Sequence, residues 1–123
     1  MAKCIYKNRR GAFGETIAKS FLEGKGLKFI KANYRFQRSE IDLIFENEKE
    51  KMLLFVEVKT RTNRKFGEPE QSINETKQTH IRNAAQGFVM TNEEYQKHDM
   101  RIDVVTIMLE NETSVINHIE NAF

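Results

Sequence analysis

Glu57 and Lys59, an acid and a base two residues apart, end the run MLLFVEVKTR at residues 52–61. The run opens as a buried strand and keeps the β-branched Val56 and Val58 as it turns charged. Alternate side chains of a strand share a face, so Leu53, Phe55, Glu57 and Lys59 point one way. Leu54, Val56, Val58 and Thr60 point the other. Charges that end an apolar row are costly unless they are paired or hold a metal. Residues 40–46, EIDLIFE, form a second strand by alternation. Ile41, Leu43 and Phe45 line one face of it, and Glu40, Asp42, Ile44 and Glu46 the other. The polar run Asn47-Glu48-Lys49-Glu50-Lys51 joins the two as a hairpin loop. A hairpin centred there pairs residues whose numbers sum to about 99. It sets Asp42 opposite Glu57, Glu40 opposite Lys59 and Ile44 opposite Phe55. Two carboxylates directly opposite repel in a bare sheet. A divalent cation between them reverses that sign, so Asp42, Glu57 and Lys59 form a candidate metal site with a lysine beside it. The competing reading is a solvated strand end with a Glu40–Lys59 ion pair. Glu-x-Lys occurs at Glu23/Lys25, Glu57/Lys59 and Glu75/Lys77, but only the middle pair lies in an apolar strand with an acid opposite.

Around this hairpin the sequence predicts the elements that must carry it. Residues 11–24 read as a helix in which Phe13, Ile17 and Phe21 cluster and Ala18 and Leu22 widen the apolar arc. Glu15 lies at its border, about 20° from Leu22, where it reaches inward over the sheet edge or sits at the waterline. Gly24 and Gly26 end the helix, and residues 27–35 form a first strand with Phe29 inward. After the third strand, KTRTNRKFGEP at residues 59–69 is a basic loop. Ser72-Ile73-Asn74-Glu75 fits a capping box for a second helix. Its apolar stripe is Ile81, Ala84, Ala85, Phe88 and Val89, with Lys77 and Gln78 one turn earlier near the charged strand end. Residues 91–99 are loop-like, 101–109 a β-branched strand, and 114–119 an edge strand. Strand, helix, strand in this order favours a parallel crossover.

The chain of 123 residues fits a single domain, 1–123, and one cysteine, Cys4, rules out an internal disulfide framework. No apolar run nears 18 residues and the opening MAKCIYKNRR has no signal-peptide core, so a soluble cytoplasmic protein without a membrane partner is expected. The net charge of +2 is uneven: +7 over residues 1–40 and −5 over residues 41–123. That asymmetry suits a face for phosphate, or an ordinary solvated surface. His80, His98 and His118 lack zinc-ligand spacing, and there is no glycine-rich phosphate loop.

The order helix, three-strand meander, helix, strand resembles the core of the PD-(D/E)xK nuclease superfamily, and Asp42, Glu57 and Lys59 match its signature. More closely, the chain resembles the YraN-like family of bacterial proteins, which is itself likened to Holliday-junction resolvases. The resemblance rests on Gly11-Ala12-Phe13-Gly14-Glu15, Asn33-Tyr34-Arg35, Glu40-Ile41-Asp42-Leu43-Ile44 and Val56-Glu57-Val58-Lys59-Thr60-Arg61. Phe66-Gly67, Pro69, Lys77-Gln78, Ala84-Ala85 and Arg101-Ile102-Asp103-Val104-Val105 extend it over nearly the whole chain. Ile41 stands where the superfamily name has proline, Ser39 where glycine is usual, and Thr79 and His80 where relatives often carry basic residues.

The resemblance implies an α/β fold of the α+β mixed-sheet kind, a restriction-endonuclease-like core with the sheet flanked by helices. It implies a metal-dependent endonuclease-like protein acting on DNA, branched or single-stranded, with a non-catalytic nucleic-acid-binding module and a charge-paired scaffold as rivals. Asp42, Glu57 and the Val58 carbonyl would hold Mg²⁺ or Mn²⁺. Lys59 would orient or deprotonate the attacking water, Glu15 would contact the metal directly or through water, and Gln78 or Lys77 would place water or phosphate. Arg9, Arg10, Arg35, Arg61, Arg64, Lys65 and Lys77 would hold the nucleic acid. A homodimer is one assembly this reading allows.

Overall fold

The structure is a computed structural model. It describes residues 2–61, 73–110 and 113–123, and only the backbone of residues 2–11 and 110. Helix α1 (Ala2–Gly24) is followed by strands β1 (Lys28–Phe36), β2 (Ser39–Asn47) and β3 (Met52–Arg61). Helix α2 (Glu75–Thr91), a 3₁₀ turn (Glu93–Tyr95), β4 (Asp99–Glu110) and β5 (Thr113–Ile119) complete it. The five strands form one sheet in the order β1-β2-β3-β4-β5, antiparallel except for the parallel pair β3–β4. This is the expected mixed sheet with a helix on each face, consistent with a restriction-endonuclease-like core.

The sheet is built outward from β3, where Leu53, Leu54, Phe55 and Val56 are all buried because both faces are covered. On one face Ala18 and Leu22 of α1 pack on Leu43, Phe45, Leu54, Val56, Val105 and Ile107. On the other, Ile81, Ala84, Ala85 and Phe88 of α2 pack on Ile44, Leu53, Phe55 and Ile102. The hairpin register is as the loop predicts, with Leu43 opposite Val56 and Ile44 opposite Phe55.

Several boundaries and faces differ from the sequence reading. Helix α1 begins at Ala2, not near residue 11, and β1 ends at Phe36. Phe13 is 55% exposed, because the stripe that meets the sheet is Gly14, Ala18 and Leu22, which lie about 100° to 180° round the helix from Phe13. A Cβ on Gly14 would collide with the Thr60 hydroxyl, so glycine lets α1 press against the end of β3. Gly26, at φ +88, closes the helix while the Leu27 amide donates back to the Leu22 carbonyl. The cap of α2 is Asn74, whose side chain accepts from the Lys77 amide, and Ser72 lies outside the described residues. Ile41 joins Ile44 on the α2 side instead of Leu43 and Phe45. Strict alternation fails there because Asn33, across β1 from Asp42, has a left-handed backbone (φ 54) and the β2–β3 ladder stops at Leu43–Val56.

Candidate active site

The end of that ladder creates the site. Beyond the pair Leu43–Val56, β2 and β3 are joined by a side chain: the Val58 amide donates to Asp42 Oδ2 at 2.7 Å. The strands part, and a cavity of about 510 Å³ opens between them and the first turns of α2. Asp42 and Glu57 both line it, with Glu40, Lys77 and His80. It lies at the carboxyl end of the parallel pair β3–β4, the end where open α/β sheets bind ligands.

Two cations attend Glu57, which is buried. Lys77 Nζ lies 2.9 Å from Glu57 Oε1, and Lys59 Nζ lies 3.7 Å from the same oxygen. Lys59 therefore sits on the face of Glu57, as alternation along β3 predicts, and is not paired with Glu40. Glu40 is paired instead with Arg35, at 3.4 Å on the outer edge. With its amide nitrogen turned toward the carboxylates, Asn33 donates to Glu15 and to Glu40, each at 3.2 Å. Gly14 seats the helix that carries Glu15, and its carboxyl comes within electrostatic reach of Glu40 and Glu57.

The titration of these groups reflects their crowding. Burial, and next the charge of Glu57, push Asp42 up to about 7 despite the Val58 amide and Lys77. Burial, with Glu40, also raises Glu15. Burial and the neighbouring Lys77 lower Lys59, against the pull of Glu57. Lys77 is itself raised: burial lowers it, but the hydrogen bond and charge of Glu57 outweigh burial.

Residues 14–107 match the profile of the uncharacterised protein family UPF0102. The chain belongs to the UPF0102 family. A UPF0102 protein of Caldicellulosiruptor bescii is 40% identical over 115 residues, covering 92% of this chain and 95% of its own length. One from Clostridioides difficile is 40% identical over 114 residues, with 93% and 96% covered. One from Flavobacterium psychrophilum is 34% identical over 116 residues, with 94% of each covered. The YraN-like resemblance is thereby borne out, and the matched segment contains Glu15, Asp42, Glu57, Lys59 and Lys77.

Other predicted residues of this UPF0102 chain stand apart from the cavity. The Gln78 side chain donates to the Ile73 carbonyl at 3.2 Å and does not line the cavity. Arg61 donates to the Thr60 carbonyl, and Arg35, on the exposed side of β1, is tied to Glu40. Arg64 and Lys65 lie outside the described residues, and Arg9 and Arg10 are described by backbone alone. The sequence reading passed over Arg38 and Thr76, and gave Asn33 and His80 no role in the site. Two signals were available: an asparagine inside a strand is unusual, and His80 follows Lys77 by three residues on a helix face. No helix among the described residues is long and apolar enough to cross a membrane.

Proposed function

We propose that this protein is a metal-dependent endonuclease that hydrolyses phosphodiester bonds in DNA. The observation that carries the reading is the pair of inward carboxylates, Asp42 and Glu57, with Lys59 beside them where β2 and β3 part. Among the described residues no three His, Cys, Asp or Glu side chains converge to hold a metal. The donor set suits Mg²⁺, which takes one or two carboxylates and completes its shell with water. The raised Asp42 is compatible with this: burial first, and then the charge of Glu57, disfavour its carboxylate while no cation among the described residues lies against it.

Asp42 and Glu57 would hold the ion with the Val58 carbonyl as a third protein ligand, and Glu15 would support it through water. Bound there, Mg²⁺ or Mn²⁺ would supply Lewis-acid polarisation of the phosphoryl oxygen and a more acidic water. Lys59, its pKa lowered, would hold the attacking water and take its proton, or offset charge on the phosphate. Lys77 would turn from Glu57 to the phosphate once the metal neutralises the acids. Arg61 and the basic loop after it would carry neighbouring phosphates. A cytoplasmic setting suits the single cysteine.

The Lys77–Glu57 ion pair favours one rival. It balances Glu57 without a metal, as a non-catalytic nucleic-acid-binding module on this fold would need. Incubation with labelled branched, flapped and single-stranded DNA separates the two. The hydrolytic reading expects cuts in Mg²⁺ or Mn²⁺ and none in EDTA. Binding without cutting in either would establish the module.

A further inference from the structure

Two hydrogen-bond donors line the cavity that the hydrolytic reading leaves unused, an arginine and a histidine. Arg38 lies on one side, in the two-residue turn between β1 and β2, and His80 on the other, one turn of α2 beyond Lys77. The neighbouring cations are engaged: Arg35 with Glu40, and Lys59 and Lys77 with Glu57. Arg38 and His80 make no ion pair or side-chain hydrogen bond with any described residue. Both are exposed, so neither holds the fold together.

We infer that Arg38 and His80 are a phosphate clamp that carries the DNA strand across the cavity from the β1–β2 turn to α2. The inference rests on the hydrolytic reading for the position of the scissile phosphate. A floor of Asp42, Glu57 and Glu40 repels a polyanion, so a strand approaches only where the walls return positive charge. The guanidinium forks two N–H donors onto phosphate oxygens, and the imidazole adds one N–H. A cavity of 510 Å³ is of the size that takes one small ligand. A sugar-phosphate unit fits within it, and a strand that crosses it meets Arg38 on one wall and His80 on the other. The clamp needs no contact from the loop after Arg61.

The test is fluorescence anisotropy with a labelled single-stranded oligonucleotide in Ca²⁺, another cation held by oxygen ligands. Arg38→Ala should lower the slope of log affinity against log salt by about 0.7, and Arg38→Lys should keep it. His80→Ala should weaken binding roughly tenfold. Lys49→Ala, in the β2–β3 turn at the other end of the hairpin, should bind as wild type. Arg38 and His80 variants that bind as wild type, a Lys49→Ala loss as large as theirs, or no binding by wild type would overturn the clamp. Wild type that binds in this manner but cuts no DNA keeps the clamp and removes the hydrolytic reading. Wild type that cuts, with both variants binding normally, does the reverse.

Discussion

Asp103 and Asp42 are acids set into strands of the same sheet, and their surroundings treat them in opposite ways. Arg101 meets Asp103 at 2.8 and 2.9 Å through two nitrogens, His118 Nε2 lies at 2.8 Å and the Asn121 amide donates at 3.0 Å. Burial raises its pKa, but Arg101, the Asn121 amide and His118 together bring it below its ordinary value. Its stabilising charge is therefore present above about pH 4 and lost as the pH falls further. Asp103→Asn should destabilise the protein by about 3 kcal/mol at pH 7, read by urea unfolding, because Arg101 would be left without its buried partner. Asp42 runs the other way. Folding raises it from 3.8 to about 7, so the folded protein holds the proton more tightly. What Asp42 contributes is full below about pH 4 and lost as the pH rises through 7. In metal-free buffer at pH 8, Asp42→Asn should be more stable than wild type by about 1–2 kcal/mol, the gap closing near pH 4 in thermal melts. Asparagine keeps an oxygen for the Val58 amide. A structural aspartate in the manner of Asp103 would show a loss at pH 8. At the same scale, Lys77→Met removes the ammonium held on Glu57 and should tighten Mn²⁺ several-fold by calorimetry. Unchanged affinity would mean that Lys77 does not compete for the acid.

Helix α1 and the β2–β3 hairpin bring the acids together by different means, and only the second was legible in the sequence. The loop at residues 47–51 centres the hairpin and fixes its register as far as Leu43–Val56, so counting gave the pairing up to the residues just before Asp42 and Glu57, which line one cavity where the ladder has ended. The parallel β3–β4 pair followed from a helix lying between two apolar strands. Alternation assigned Glu57 and Lys59 to the α2 face, but it misassigned Ile41, because the left-handed Asn33 and the end of the ladder are not patterns of polarity. The seat of α1 was misread for a related reason. A hydrophobic wheel ranks Phe13 above Gly14, whereas close approach to Thr60 demands the residue with no side chain. Gly14→Ala should destabilise by about 1–3 kcal/mol and lift Glu15 away from the acids. In a Thr60→Ala background, where the opposing hydroxyl is gone, the same change should cost much less by double-mutant cycle. Equal costs in both backgrounds would show that α1 is not seated on Thr60.

For the whole molecule, charge and topology point to one end of the sheet. The first forty residues, at +7, form α1, β1, the turn that carries Arg38 and the start of β2 with Glu40, while Asp42 and Glu57 come from the acidic remainder of the chain. Membership of UPF0102 across residues 14–107 covers every element from the last part of α1 into β4. The central claim is that the acids and Lys59 have separate jobs in one hydrolytic site, and single-turnover cleavage of branched DNA in Mn²⁺ tests it most directly. Wild type should cut and Asp42→Asn should lose cutting together with metal binding. Lys59→Ala should keep or tighten the metal while its rate falls by about two orders of magnitude or more. Equal rates for wild type and Lys59→Ala, or DNA left intact by wild type, would contradict it.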